Sequence, residues 1–286
     1  MGNCSVQSSP YIQVGNYEFD PRDVIHMSHH GVLFQGTPVD DKFFEIAIKQ
    51  VYYSFDERHI PQIESVMKKL RSANHENVVH YVDYYYDNRD SRLYIMVDFC
   101  AHGTLKDLMR NDLPYSPLQD IKTAFNFCRQ LISGVISLHG QGIIHQNLIP
   151  QNILIHYDTL KISDYGPTEL ECLSVEGFRK KSSIYLAPEL FAKGLPATEK
   201  CDIWSLGVLM YQIMYKTRPV EVNGGRYIVS ELKTGRCADF DDLVQRCLEM
   251  DPEKRPNLQE LKEHPFVIRS EHDRLKEFAV ENTALP

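Results

Sequence analysis

The chain has 286 residues, 43% of them hydrophobic and 24% charged, enough to bury a full core in one large domain or two packed lobes. A formal net charge of -8 argues against a nucleic-acid binder, which would present a basic face. Seven scattered cysteines without a CxxC pair read as reduced thiols, and no apolar run approaches the roughly 18 residues that span a bilayer.

In chain order, Met1-Gly2-Asn3-Cys4-Ser5-Val6 matches a myristoylation signal only in part, because Val6 stands where Ser or Thr is wanted. The simpler expectation is a flexible segment over residues 1–16. Membrane attachment would come only from acylation of Gly2 or Cys4, and stable anchoring would need both, since one chain anchors poorly. No secretory signal is visible, so the expected compartment is the cytoplasm. Residues 17–53 read as strands: Val32-Leu33-Phe34 and Phe43-Phe44-Glu45-Ile46-Ala47-Ile48-Lys49 are rich in β-branched and aromatic residues, with a turn at Asp40-Asp41. His26, His29 and His30 lack a carboxylate or cysteine partner at ligand spacing and read as loop residues. Lys49 closes a short apolar strand, where a lysine can reach a phosphate from a dry wall.

Ile60, Ile63, Met67 and Leu70 share one face of a helix over 58–70, and Asn74-His75-Glu76-Asn77 breaks it. Leu93 to Val97 is a buried strand, and the connector Asp98 to Gly103 marks a lobe boundary. Beyond it the chain turns helical. Ser116-Pro117-Leu118-Gln119 carries the cap, the proline and the glutamine of a helix start, followed by an apolar stripe from Ile121 to Leu138. A polar loop lies inside Ile143-Ile144-His145-Gln146-Asn147-Leu148-Ile149-Pro150-Gln151-Asn152-Ile153-Leu154, and Lys161-Ile162-Ser163-Asp164-Tyr165-Gly166 supplies a second one. Glu169, Glu171 and Glu176 read as a solvated stretch. Asp202 to Met210 is apolar nearly all round and predicts a buried helix. Phe240, Leu243, Val244, Cys247 and Leu248 predict an amphipathic helix ended by Asp251-Pro252. Pro256 to Glu263 reads as a short helix, and the charged tail from Arg269 as one weak helix at most.

This ordered set resembles the eukaryotic protein kinase superfamily, on its serine/threonine side, over about residues 17–266. Ile46-Ala47-Ile48-Lys49 looks like the strand of the ATP-phosphate lysine, and His145 to Asn152 like the catalytic loop. Asp164-Tyr165-Gly166 resembles the metal-binding Asp-Phe-Gly motif. Ala187-Pro188-Glu189, Asp202-x-Trp204-Ser205-x-Gly207 and Arg255 match the motifs that follow. The resemblance implies an α+β, bilobal kinase-like fold. Its N-lobe (17–98) would be a small antiparallel sheet with one main helix, its C-lobe (99–266) mostly helical, and 267–286 a tail. It also implies an ATP site from Gly31, Leu33, Ala47, Lys49, Val97, Asp98, Cys100 and Leu154, with Asn152 and Asp164 on Mg2+.

The departures are chemical. Asn147 stands where the family has its catalytic aspartate, and a carboxamide is no base near neutral pH. Ile149 replaces the loop lysine, so no charge meets the transferred phosphoryl group. Gln146 replaces the arginine that grips an activation-segment phosphate. Of the three loop glycines, Gly31 and at most Gly36 remain. Glu64 is the acid nearest the place of the lysine's ion-pair partner, yet the helix register puts Ile63 there. Two readings follow. One is a pseudokinase, a regulatory or scaffolding module with weak ATP and Mg2+ binding, whose partners are other signalling proteins such as an active kinase. The other is an active but atypical serine/threonine kinase acting on protein hydroxyls.

Overall fold

The computed structural model describes residues 10–28, 31–52, 57–110, 118, 120–166, 184–191, 196–223, 226–229, 232, 235 and 237–269. They form two compact units. The first holds the described residues up to Asn74 together with Val79–Cys100; the second holds His75–Val78 and the described residues from Ala101 onward.

The first unit is a six-stranded antiparallel sheet of β1 (Ile12–Val14), β2 (Tyr17–Ser28), β3 (Gly31–Pro38), β4 (Ile46–Val51), β5 (Tyr81–Asp87) and β6 (Arg92–Asp98), in the order β1-β2-β3-β4-β6-β5. Alternate residues turn inward, so Phe19, Val32, Phe34, Ile46, Ile48, Tyr94 and Met96 build one apolar cluster, with Phe19 stacked on Phe34 at 4.5 Å. The helix α1 (Ile60–Arg71) lies beside β5 and buries Ile63, Met67 and Leu70, the face its sequence spacing predicts.

Two details of this unit depart from the sequence reading. The sheet starts before residue 17: Val14 of β1 is buried and pairs with Tyr17, inside the segment expected to be flexible. Three residues are too few for a period-two signal. Phe43 and Phe44 are not strand residues, because β4 starts at Ile46 and both rings point to water. Asp41 holds them in a turn, its Oδ1 accepting from the Phe43 amide at 3.0 Å.

The β1–β2 turn also reaches β5, at the far end of the strand order. A Cβ added to Gly15 would lie 3.2 Å from Cδ2 of Tyr85, so the sheet curls until its two ends touch. Tyr17 joins this contact by hydrogen bonding to Asp83, which also receives Arg71 of α1 at 3.5 Å. Burial, then the Asp83 charge, raises the Tyr17 phenol above its ordinary range.

The second unit is mainly helical: α2 (Leu105–Met109), α3 (Ile121–Gly140), α4 (Glu199–Tyr215), α5 (Ala238–Cys247), α6 (Leu258–Glu263) and α7 (Pro265–Ile268). Two hairpins accompany them, β7 (Ile153–His156) with β8 (Thr159–Ile162), and β9 (Val220–Asn223) with β10 (Arg226–Val229). Every residue of α4 from Cys201 to Tyr215 is buried, as an all-round apolar helix must be. It packs between α3 and α5, and Gly207 lets α5 approach: a Cβ there would lie 2.7 Å from Cys247 Cβ.

Among the described residues α3 begins at Ile121, capped by the Asp120 carboxylate on the Thr123 amide at 3.0 Å. The start expected at Ser116-Pro117 lies outside the described residues, as do the acidic stretch 169–176 and the tail from 270. The β9–β10 hairpin was not foreseen.

His75–Val78, of which the sequence marks His75 to Asn77 as part of a helix break, fastens onto this second unit. Asn77 Nδ2 donates to the carbonyl of Leu160 at 3.1 Å and to Gln130 Oε1 at 3.2 Å, while its own carbonyl receives the Ile162 amide.

Two expected outcomes test this packing. Gly36 faces Cδ1 of Ile48 and the carbonyl of Glu18, which a new methyl would meet at 2.5 and 2.7 Å. Gly36→Ala should lose about 1–3 kcal/mol in urea unfolding. Arg255 is fully buried. It donates twice to Glu189, at 2.7 and 2.9 Å, and to the carbonyls of Glu249, Lys200 and Met250. It also lies 5.1 Å over the Trp204 ring. Arg255→Ala strands the Glu189 carboxylate and should cost about 3–5 kcal/mol, read the same way.

Candidate functional site

The polar loop from His145 to Asn152 is fixed by one buried carboxylate. Asp202, in the first turn of α4, accepts the His145 amide at 2.7 Å and the Gln146 amide at 2.8 Å, and bonds His139 Nε2 at 2.9 Å. Gln146 has φ +62°, a left-handed conformation that costs a non-glycine residue about 1 kcal/mol or more. Two charge-assisted bonds to the loop's amides offset that cost. The sequence marks Asp202 only as a motif member; the signal for its role was an acid at the head of a stretch, Asp202 to Met210, that is apolar nearly all round.

His145 is buried and fully satisfied. The Asn147 amide donates to Nδ1 at 3.2 Å, so Nε2 carries the proton and donates to the Ser163 carbonyl at 2.9 Å. Burial holds the imidazole below its ordinary range, against the opposing pull of Asp202 and Ser163.

Asn147 keeps the backbone role of a loop centre. Its carbonyl receives Asn152 Nδ2 at 2.9 Å. The Asn152 backbone is held in turn: its amide donates to the Ile149 carbonyl at 2.9 Å, and its carbonyl accepts both the amide and the hydroxyl of Ser163 at 2.8 and 2.9 Å. Ile149 is half-buried and offers only carbon. Asp164 follows with φ +62°, then the wholly buried Tyr165 and Gly166 at φ +92°. Asn152 and Asp164 therefore extend from neighbouring loops of the same unit, tied through Ser163. With Asn152 Nδ2 committed to the backbone, Oδ1 is the atom it has to offer. Oxygen donors of this kind suit Mg2+. Leu154 lies on β7 in register with Lys161 and bridges to Thr104.

The remaining candidates sit on the sheet of the first unit. Leu33 of β3 pairs with Lys49 of β4, and Ala47 of β4 pairs with Val97 of β6. Leu33, Lys49 and Val97 are half-buried and Ala47 is buried. Asp98 ends β6, its amide donating to the His80 carbonyl at 3.1 Å, and Cys100 follows, outside any disulfide. Gly31 starts β3, where a Cβ would lie 2.0 Å from the Gln50 carbonyl oxygen. Its smallness is thus already required by strand pairing. On α1, Ile63 turns inward and Glu64 outward, where its charge acts on Tyr84 of β5. His29 and His30 lie outside the described residues, and no cluster of three metal-ligating side chains occurs among the described ones.

The segment after the second loop is anchored to α4. The Trp204 indole donates to the Ile184 carbonyl at 3.0 Å, Ser205 Oγ to the Tyr185 carbonyl at 2.7 Å, and the Tyr185 hydroxyl to Gln212 at 2.6 Å. Arg255 and Glu189 complete the pair expected from the motifs.

His145 gives the loop a pH signature. Its folded-state pKa is depressed, so the fold binds fewer protons there than the unfolded chain. Stability should be complete above the ordinary value of about 6.5 and fall as pH drops below it. Urea unfolding at pH 7.5 and 5.5 should show this loss, and His145→Gln should flatten the slope while lowering stability at both pH values.

No helix among the described residues is long and apolar enough to cross a membrane. Sequence comparison agrees with the geometry. The protein kinase domain profile matches residues 31–267. An Aurora kinase of Yarrowia lipolytica is 32% identical over 69% of this chain and 54% of its own length. The serine/threonine-protein kinase stk11 of Xenopus laevis is 32% identical over 75% of this chain and 53% of its own. The calcium/calmodulin-dependent protein kinase kinase cmkC of Emericella nidulans is 34% identical over 67% of this chain and 39% of its own. The chain spans about half the length of the first two of these relatives. With the domain profile matched from Gly31 to Val267 and the buried Arg255–Glu189 pair in place, the chain belongs to the protein kinase family.

Proposed function

We propose that this chain is a pseudokinase, a kinase-shaped regulatory or scaffolding protein that retains weak ATP binding and has lost efficient phosphoryl transfer. The observation that carries this reading is the loop around Asn147. Its backbone is held on both sides, by His145 and by Asn152, while its side chain is a carboxamide. A well-placed loop without a carboxylate forgoes general-base help of roughly 10²–10⁴-fold. Ile149 removes the cation that would meet the moving phosphoryl group, and electrostatic stabilisation is the main contribution in this reaction.

Nucleotide binding rests on different residues. Lys49 would meet the phosphates, Val97 would leave the adenine pocket open, and Asp98 to Cys100 would supply backbone groups. Asn152 and Asp164 would hold Mg2+, which when bound neutralises phosphate charge. The partners on this reading are other signalling proteins, an active kinase among them. The chain would work in the cytoplasm, and at a membrane only if Gly2 or Cys4 is acylated.

A second reading, an active atypical serine/threonine kinase, draws on relatives bearing that name and on the retained Lys49, Asn152 and Asp164. Phosphotransfer and thermal-shift measurements on the purified chain separate the two. The pseudokinase reading expects a melting shift of a few degrees with MgATP, reduced in Lys49→Ala. It also expects autophosphorylation no greater than in Asp164→Ala. Autophosphorylation that vanishes in Lys49→Ala and Asp164→Ala would overturn it. Asn147→Asp combined with Ile149→Lys should raise phosphotransfer by at least about 10²-fold if MgATP already binds productively.

A further inference from the structure

The loop between β3 and β4 displays apolar surface that the fold does not use. Phe43 is 98% exposed and Phe44 51%, in a sequence that leaves neither ring a place in the sheet core. Single exposed apolar residues are ordinary, but two adjacent phenylalanines on one ordered loop tip are a contiguous patch. The display is built. Asp41 Oδ1 accepts the Phe43 amide and the Asp41 carbonyl accepts the Phe44 amide. At the root of the loop the Val39 amide donates to the Asn16 carbonyl at 2.9 Å, and Lys42 is tied to Glu18 at 2.8 Å. The rings are thus presented on a preset turn, which limits the ordering cost of docking.

The charges around the rings select the occupant. Asp40, Asp41 and Glu45 are exposed acids, and the loop's own cation, Lys42, is paired with Glu18. An anionic membrane surface would repel this rim. A second copy would bring the same acids against it, on a chain whose net charge is already -8. A partner with an apolar cleft edged by lysine or arginine matches both features, since aromatic anchors seated in a pocket carry most of the binding at protein interfaces. We propose that the Asp40–Glu45 loop is a docking knuckle, Phe43 and Phe44 entering an apolar cleft on a protein partner whose rim is basic. This surface is independent of whether the chain transfers phosphate.

The test places a photo-crosslinker at the tip, Phe43→p-benzoylphenylalanine, in the full chain expressed in its own cells, with the crosslinked peptides sequenced. The expected result is a single site on one partner, apolar and flanked by lysine or arginine. With that partner purified, Phe43→Ser plus Phe44→Ser should weaken binding at least tenfold. Asp40→Lys plus Asp41→Lys should weaken it several-fold, and charge reversal on the partner's rim should restore it. The double serine variant should melt within a degree or two of the parent, because the rings lie outside the core. Crosslinks to a second copy, to lipid, to scattered sites or to nothing would overturn the proposal, as would an affinity unchanged by the serine substitutions.

Discussion

The carboxylate of Asp202 is the constraint on which the loop chemistry depends. It is wholly buried, and an ionised acid in that position is tolerable only if it is saturated with donors. Two loop amides and the His139 imidazole supply them. The acid therefore needs the loop, and the strained loop at Gln146 needs the acid. From there the order propagates through hydrogen bonds alone: His145 to Ser163, Ser163 to Asn152, Asn152 to Asn147. None of these links uses the side chain of Asn147 or of Ile149. That independence is the physical reason the loop's shape does not rest on which side chains stand at 147 and 149.

The same separation of scaffold from chemistry appears in the glycines and in the anchored segment after the loop. Gly31 and Gly36 look like survivors of a phosphate-binding loop, yet each is already demanded by a strand neighbour that a methyl group would strike. Their retention is accounted for by packing. The Glu189–Arg255 pair likewise serves the fold: five donor contacts and the Trp204 face surround a guanidinium with no access to water. The backbone here is held by buried polar networks, which are costly to leave half-satisfied, and not by the side chains at the loop's centre.

Much of this was legible in the sequence because it follows from periodicity and motif order. The apolar face of α1, the burial of α4 and the pairing of Arg255 with Glu189 all lie where the chain's pattern put them. The misses share a cause. Phe43 and Phe44 read as strand because aromatic residues favour strands, but a turn set by Asp41 keeps them out of the ladder. Residues 12–14 gave no signal because three residues cannot show a period. Asn77 read as a breaker because its partners, Gln130 and Leu160, are 53 and 83 positions away.

By itself, then, the sequence determined the fold class and which side chains stand at the loop's motif positions. Both are properties of residue type at a motif position: a carboxamide cannot accept a proton near neutral pH wherever it is folded, and an isoleucine carries no charge. Only the tertiary structure decided which groups hold the loop and which are left facing water. Burial, the partners of Asp202, the close approaches at Gly31 and Gly36 and the exposure of Phe43 depend on segments distant in sequence. Long-range packing creates those environments, and no local pattern encodes them.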